Sequence, residues 1–448
     1  MKITLVAPRM SLRPMDSEFK RHMAPSISLL VLAALTPTEH EVEIIDENIE
    51  PIRGYAKADL VGISCNVDTF ERAKEHSREF RKNGSPVILG GIFPSSSPEL
   101  AESHADSVCI GDAEPLWAGI LKDARKGTLK KRYSCDFEYP VEMIPRPRWE
   151  LIEKNRYLYT NLITTSRGCP YSCEFCYNSC KYMQKKYRRR PVRAILDEID
   201  RLGTNHVLFV DDNFIGDRRW LIDFLDRIRA LGLSWHAAVS ADIGKDLRLL
   251  DAMKETGCRS LYIGFESINT ESLFSVRKTQ NKVHEYDNTI REIHGRGIMI
   301  NASMAFGFDN DHPDVFDNTL DWLVRNRIET MTGHILTPYP GTKLHDRLKM
   351  EGRIIDRNLR NYNTSKVVFT PKNMTAEELL KGYLYIYREF YSVRSILKRR
   401  PEAKSQWIPY FLFNLGYRKF GHLTSKLGRY GHMGHIGKIA RRLSYGIG

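Results

Sequence analysis

Three cysteines share one short stretch, Cys169-Pro-Tyr-Ser-Cys173-Glu-Phe-Cys176, in the spacing CxxxCxxC. Three thiolates on one loop suit three irons of a [4Fe–4S] cluster and leave the fourth iron open to another ligand. A zinc reading asks for a fourth protein ligand, and Cys180 lies close enough to supply it. The eight cysteines stand at 65, 109, 135, 169, 173, 176, 180 and 258. A disulfide framework would spread them, whereas four within 169–180 argue for metal. Cys65, Cys109, Cys135 and Cys258 read as small buried hydrophobes, with Cys65 at a strand end.

The elements around the motif alternate strand with helix. Strand patterns fit 162–166, 206–210, 234–239, 260–265, 299–307 and 332–337, and helical patterns fit 192–202, 218–231, 245–256, 283–296 and 315–327. Six βα units are too few for a closed eight-unit barrel, so a partial (βα)6 barrel is expected. Ligands of such folds lie at the carboxyl ends of the strands. Polar residues stand there: Asp211 and Asp212 after strand two, Ser240 after strand three, Glu266 after strand four, and Gly307 after strand five. Any one of these alone could be a helix cap.

The first 130 residues alternate in the same way, with buried strands at 3–7, 41–45, 60–64, 87–91 and 107–110 and helices at 26–35, 69–82, 98–104 and 113–125. That pattern predicts a doubly wound, Rossmann-like α/β sheet. The expected organisation is an α/β domain over 1–135, a Pro- and Arg-rich linker over 136–157, the partial barrel over 158–345, and a mainly helical region over 346–448.

The motif, with Phe175 as the aromatic before the third cysteine, resembles the signature of radical S-adenosylmethionine (SAM) enzymes. The resemblance implies that Cys169, Cys173 and Cys176 hold the cluster, and that the open iron chelates SAM. Reductive cleavage of SAM would then give a 5′-deoxyadenosyl radical. Phe175, Tyr177, Asp211, Asp212, Ser240, Glu266 and Gly307 are the implied SAM positions. The N-terminal domain resembles the cobalamin-binding module of cobalamin-dependent radical SAM enzymes. The implied corrinoid positions are Ser64, Cys65, Asn66, Val67 and Thr69; Gly90, Gly91, Ile92 and Phe93; and Gly111, Asp112 and Glu114. The Asp-x-His-x-x-Gly motif that supplies a histidine to cobalt in many cobalamin proteins is absent after the first strand, which predicts no histidine on the lower cobalt face. The stretches 209–216 and 334–342 look most like the branch containing hopanoid C-2 methylases, with anaerobic magnesium-protoporphyrin cyclases further off.

The implied activity is methyl transfer from methylcobalamin to an unactivated carbon of a small-molecule or lipid-like substrate, fed by an external flavodoxin- or ferredoxin-type electron donor. A cyclase or oxidoreductase on the same fold is the first alternative. A cobalamin-binding sensor with a structural cluster is the second, and no helix-turn-helix pattern accompanies it. A tRNA methylthiotransferase should carry three further N-terminal cysteines, which Cys65 and Cys109 do not provide.

Composition limits the partners. The chain has 448 residues, 42% hydrophobic and 27% charged, an ordinary globular balance that excludes disorder and fibrous repeats. Of the net charge of +13, the stretch 391–448 carries most: twelve Lys/Arg against the single acid Glu402. Cations interleaved with aromatics suit an anionic membrane surface better than nucleic acid. No apolar run is long enough to cross a bilayer, and the opening Met-Lys-Ile-Thr-Leu-Val reads as a strand rather than a leader. A cytoplasmic protein with a tail suited to peripheral contact at the inner membrane face is expected.

Overall fold

Two six-stranded parallel sheets, one per half of the chain, carry the architecture. The computed structural model describes residues 1–135, 139–183, 187–417 and 433–445. The N-terminal strands are Lys2–Ala7, Glu41–Asp46, Leu60–Ser64, Val87–Gly90, Ser107–Ile110 and Arg132–Ser134. Their spatial order is second, first, third, fourth, fifth, sixth, and every pairing is parallel. The order reverses between the first and third strands. In such sheets ligands enter the crevice at that reversal, beyond the carboxyl ends. The sheet is doubly wound, as expected. The sixth strand and the short helix Ile92–Ser96 go beyond the sequence reading, because three to five residues are too few to establish a period.

The second sheet runs in chain order: Leu162–Ile163, His206–Phe209, Ser234–Ser240, Cys258–Glu266, Met299–Phe306 and Thr330–Ile335. It is the partial barrel that the six βα units imply. Side chains alternate cleanly across it. Leu261, Ile263 and Phe265 of the fourth strand are buried in the core, while Ser260, Tyr262 and Glu266 face the other side and are only half-buried. The first strand is shorter than its apolar pattern suggests. Asp211 accepts the backbone N–H groups of Thr165 and Ser166, which takes them out of the ladder, and Ser166–Arg167 pairs antiparallel with Arg188–Arg189 instead.

The helix Ala376–Phe390 lies in the region expected to be mainly helical and starts with a capping box between Thr375 and Glu378. It lies over the last barrel strand. Residues 139–156 form short 3-10 turns, and Trp149 packs with Leu30 and Leu162. Among the described residues no helix is long and apolar enough to cross a membrane. The tail residues Arg418, Lys419, Phe420, Lys426, Arg429, Tyr430 and Gly431, and linker residues 136–138, lie outside the described residues.

The two sheets touch backbone to backbone. Gly341 follows the last barrel strand with φ +87°, and a Cβ there would sit 2.1 Å from the Ser96 carbonyl oxygen. Only glycine meets both conditions. Gly341→Ala is expected to cost about 2 kcal/mol or more of stability and to speed proteolysis between the sheets, checked by urea unfolding and limited digestion.

Candidate functional site

The cysteine loop is held at its start by a buried carboxylate. Asp211 accepts from Thr165 N (2.8 Å), Thr165 Oγ1 (3.1 Å) and Ser166 Oγ (2.8 Å). Both oxygens are thereby committed to the strand that leads into Gly168 and Cys169, so Asp211 positions the loop and has no side chain left to offer a ligand. Asn213, two residues on, hydrogen-bonds the Cys169 sulfur and donates to Ser240 Oγ at 3.2 Å. Ser240 donates to Asp242. Asp242 in turn accepts from Tyr171 of the cysteine loop (3.1 Å) and from Arg218 (2.6 Å). Ser240 therefore also belongs to the scaffold under the loop.

The thiols themselves sit among N–H donors. Cys169 accepts from the Tyr171 amide and Cys176 from the Asn178 amide. The Gln280 side-chain amide lies 3.6 Å from the Cys173 sulfur. Burial pushes the Cys169 thiol up and the Cys176 thiol up to about 12, and the neighbouring cysteines add to both. Left alone these groups stay protonated. As ligands they must lose the proton, and bound metal supplies the compensating charge. Donor set and surroundings fit an iron–sulfur cluster. Cys180 is fully buried and its thiol is raised by burial, then by Cys176. No three His, Cys, Asp or Glu side chains among the described residues surround a single metal-ion position.

Around this loop the other expected SAM positions divide. Tyr177 stacks on Tyr339, with centroids 4.8 Å apart and planes 17° from parallel. Its hydroxyl and the Gln280 carbonyl oxygen are buried without a hydrogen-bond partner. Such orphans are rare in folded proteins and mark places where a ligand completes the pairing. Asp212 is exposed beside the Gly168 amide. Glu266 has φ +64°, an uncommon conformation for a non-glycine residue. A register shift between Gly264 and Glu266 turns it inward. There it meets Lys278 Nζ (3.3 Å) and Ser303 Oγ (3.2 Å), and Lys278 Nζ lies 5.9 Å from the centre of the Phe175 ring. Gly307 makes a turn rather than a contact surface: its N–H and that of Phe308 donate to Asp311.

In the N-terminal sheet the expected corrinoid positions form a shelf. Gly91 has φ +96°, and a Cβ there would lie 2.9 Å from both Cys65 O and Ser64 Oγ. Glycine thus lets the loops after the third and fourth strands close on each other. Gly111 N donates to Ser95 Oγ. Asn66, Gly91 and Ile92 are exposed on the shelf, a bare backbone surface that fits a bulky ring. Cys65, Val67, Thr69 and Phe93 are buried and can contribute only backbone. Asp112 and Glu114 are engaged as well. Arg167, two residues before Cys169, pairs with both across the domain boundary, and Arg188 reaches Asp112 at 2.9 Å. The shelf and the cysteine loop are therefore joined side chain to side chain. A larger groove of about 410 Å³ along Glu43–Gly54 contains none of the expected site residues.

Comparisons with known proteins match separate parts of the chain. A family model described as the radical SAM superfamily matches residues 163–323, and one described as a B12 binding domain matches 21–121. The chain thus joins a B12-binding domain to a radical SAM domain, the combination found in cobalamin-dependent radical SAM enzymes. A domain of unknown function, DUF4070, matches 342–409 of this radical SAM enzyme. The enzyme is 28% identical over 410 residues to bacteriochlorophyllide d C-12(1)-methyltransferase of Chlorobaculum tepidum, covering 88% of this chain and 89% of that one. It is 29% identical over 409 residues to hopanoid C-2 methylase of Rhodopseudomonas palustris, with 85% and 77% covered. An anaerobic magnesium-protoporphyrin IX monomethyl ester cyclase of Rubrivivax gelatinosus is 23% identical over 422 residues, with 84% and 74% covered. Among solved structures, the radical SAM methyltransferase TsrM from Kitasatospora setae, with cobalamin and a [4Fe–4S] cluster bound, superposes with TM-score 0.68 at 17% identity, covering 98% and 99%. That likeness shows the fold. The enzyme's cofactors are a [4Fe–4S] cluster, SAM and cobalamin.

Sequence reasoning did not find Arg167, Asn213, Asp242, Gln280 or Lys278. A signal existed only for Arg167, a cation directly ahead of the motif. The others become visible only when the loops converge.

Two predictions follow from these contacts. Arg167→Gln leaves Glu114, whose side chain is 7% exposed, without its partner. It should lower stability by about 2–4 kcal/mol, with Arg167→Lys recovering only part because it lacks the planar fork whose two nitrogens reach Asp112 and Glu114 separately; chemical unfolding reads both. Burial raises Asp211 and Asp311 from 3.8 to about 6. Folded-state values above the unfolded ones mean that the folded chain binds more protons between these limits. Their contribution to stability is greatest below about pH 4 and declines as pH rises through about 6. Asp211→Asn/Asp311→Asn should flatten that part of the stability–pH curve.

Proposed function

We propose that this enzyme transfers a methyl group from the corrinoid to an unactivated carbon of an amphipathic substrate held in the partial barrel. The observation that carries the reading is the Arg167 bridge, which ties the glycine shelf of the cobalamin domain to the strand leading into the cysteine loop. A methyl donor on the shelf and a radical generated at the cysteines would then face one space. When bound, the cluster supplies the electron that cleaves SAM, and the corrinoid supplies the methyl group.

The chain's own residues bind and orient. Cys169, Cys173 and Cys176 would hold the cluster; Tyr177, Gln280, Asp212 and Glu266 would surround SAM; and Ser64, Asn66, Gly90, Gly91, Ile92 and Gly111 would carry the corrinoid ring. The inner barrel face beyond them is polar. Tyr262 hydroxyl lies 3.4 Å from His334 Nε2, Thr332 Oγ1 donates to Asn301 at 3.2 Å, and Ser260 Oγ lies 2.6 Å from His236 Nδ1. A wholly hydrocarbon substrate would strip water from these groups without replacing it. An amphipathic one, with hydrogen-bonding groups inward and an apolar body outward, satisfies them. Relatives named for a hopanoid and for a bacteriochlorophyllide support that class. An external one-electron donor of flavodoxin or ferredoxin type completes the reading.

The cyclase-named relative keeps a second reading open: ring closure on the same scaffold without methyl transfer. SAM bearing a deuterated methyl separates the two. The anaerobically reconstituted enzyme is incubated with it and reductant, and the corrinoid is recovered for mass spectrometry. Label recovered with the corrinoid is the expected result. Unlabelled corrinoid beside freshly formed 5′-deoxyadenosine would overturn methyl transfer and favour the cyclase.

A further inference from the structure

Among the described residues, the C-terminal helices present a face that no other element covers. Trp407–Tyr417 contains no charged residue. Tyr410 and Asn414 are fully buried on its inner side. Its outward positions are Ile408, Leu412, Phe413 and Leu415, between 38% and 51% exposed. The outward side of a helix at a water-facing surface is normally polar, so four apolar residues there form a patch that asks for a partner.

The neighbouring helix adds charge to the same kind of surface. Met433–Tyr445 turns Met433 and Gly437 inward. Outward stand Lys438, Ile439, Arg442 and Leu443, whose spacing places them on one stripe. Ile439 and Leu443 are 61% and 57% exposed. Val393–Lys398 repeats the pairing on a smaller scale, with Val393 and Leu397 exposed beside exposed Arg394 and Lys398. Glu402, the single acid of 391–448, is taken by Arg327.

A partner must accept aliphatic side chains and cations side by side. We propose that the helices between 393 and 445 dock on an anionic lipid surface, with the aliphatics at the acyl boundary and Lys438, Arg442, Arg394 and Lys398 on the phosphates. Single-stranded nucleic acid would welcome the cations, but it rewards stacking aromatics rather than Ile439 and Leu443. A second copy would set one basic face against another. The proposal stands apart from methyl transfer, because partition onto vesicles needs no turnover.

Vesicle co-sedimentation of the full-length holoenzyme tests it, comparing phosphatidylglycerol-containing vesicles with pure phosphatidylcholine. The expected result is binding to the anionic vesicles that weakens with salt. Lys438→Gln/Arg442→Gln should weaken it roughly tenfold to thirtyfold. Ile439→Glu/Leu443→Glu should weaken it at least as much while leaving thermal unfolding unchanged, since both residues face solvent. The proposal is overturned if anionic vesicles are not bound, or if both double variants bind undiminished. A single-stranded oligonucleotide bound in preference to vesicles would overturn it too, as would a stable dimer that buries the face.

Discussion

The structure turns on one requirement: the carboxyl ends of two separate parallel sheets must face each other. In each sheet the strand ends are where loops converge and where ligands can approach backbone. Neither sheet alone offers more than half of a site. Arg167 meets the requirement by reaching from the strand before the cysteine motif to Asp112 and Glu114 beyond the fifth strand of the other sheet. Gly341 meets it again at a second point, where the last barrel loop rests directly on the Ser96 backbone. The loop at 8–25 adds a third tie, since the Tyr383 hydroxyl reaches Met15 Sδ at 3.2 Å. Three contacts spread over the boundary fix an orientation, where one would leave a hinge.

Several buried carboxylates at the strand ends are consumed in building this arrangement. Asp211 is saturated by Thr165 and Ser166, Asp242 by Tyr171, Ser240 and Arg218, and Asp311 by Gly307, Phe308 and Ser272. Each ties a strand-end loop to its neighbour. Burying a carboxylate is costly unless donors surround it, and here backbone amides of the loops share that task with hydroxyls and the Arg218 guanidinium. Once such groups are set aside, the uncommitted polar atoms stand out. The Tyr177 hydroxyl and the Gln280 carbonyl oxygen are buried with nothing to bind, and Gln280 lies against Cys173.

This explains which features could be read from the sequence. Both parallel sheets were legible because buried parallel strands read as apolar runs separated by helical patterns. The cysteine loop was legible because metal-ligand spacing is local. Strand-end position was also legible, and it drew Asp211, Ser240 and Gly307 into the expected SAM set. What each side chain does there was not, because that depends on partners far away in sequence: Tyr171 and Asp242, or Glu266 and Lys278 across a bulge. The same limit applies to Cys65, Val67 and Phe93. Their positions after strands place them near the shelf, but strand alternation and tertiary packing turn their side chains into the core.

The helical region after the barrel follows from the barrel's openness. A six-stranded parallel sheet that does not close leaves Thr330–Ile335 as an edge, with backbone donors and acceptors turned outward. The Tyr387 hydroxyl accepts from Gly333 N and donates to Gly333 O, and Tyr391 does the same for Met331. Ile335 N donates to Thr364 O at 2.7 Å. Arg399, fully buried, then donates to the carbonyls of Ile328, Glu329 and Phe390 and to Asn414. These bonds substitute for a seventh strand. They also make the C-terminal helices part of the barrel wall, resting on the last strand and on the turn that leads into it.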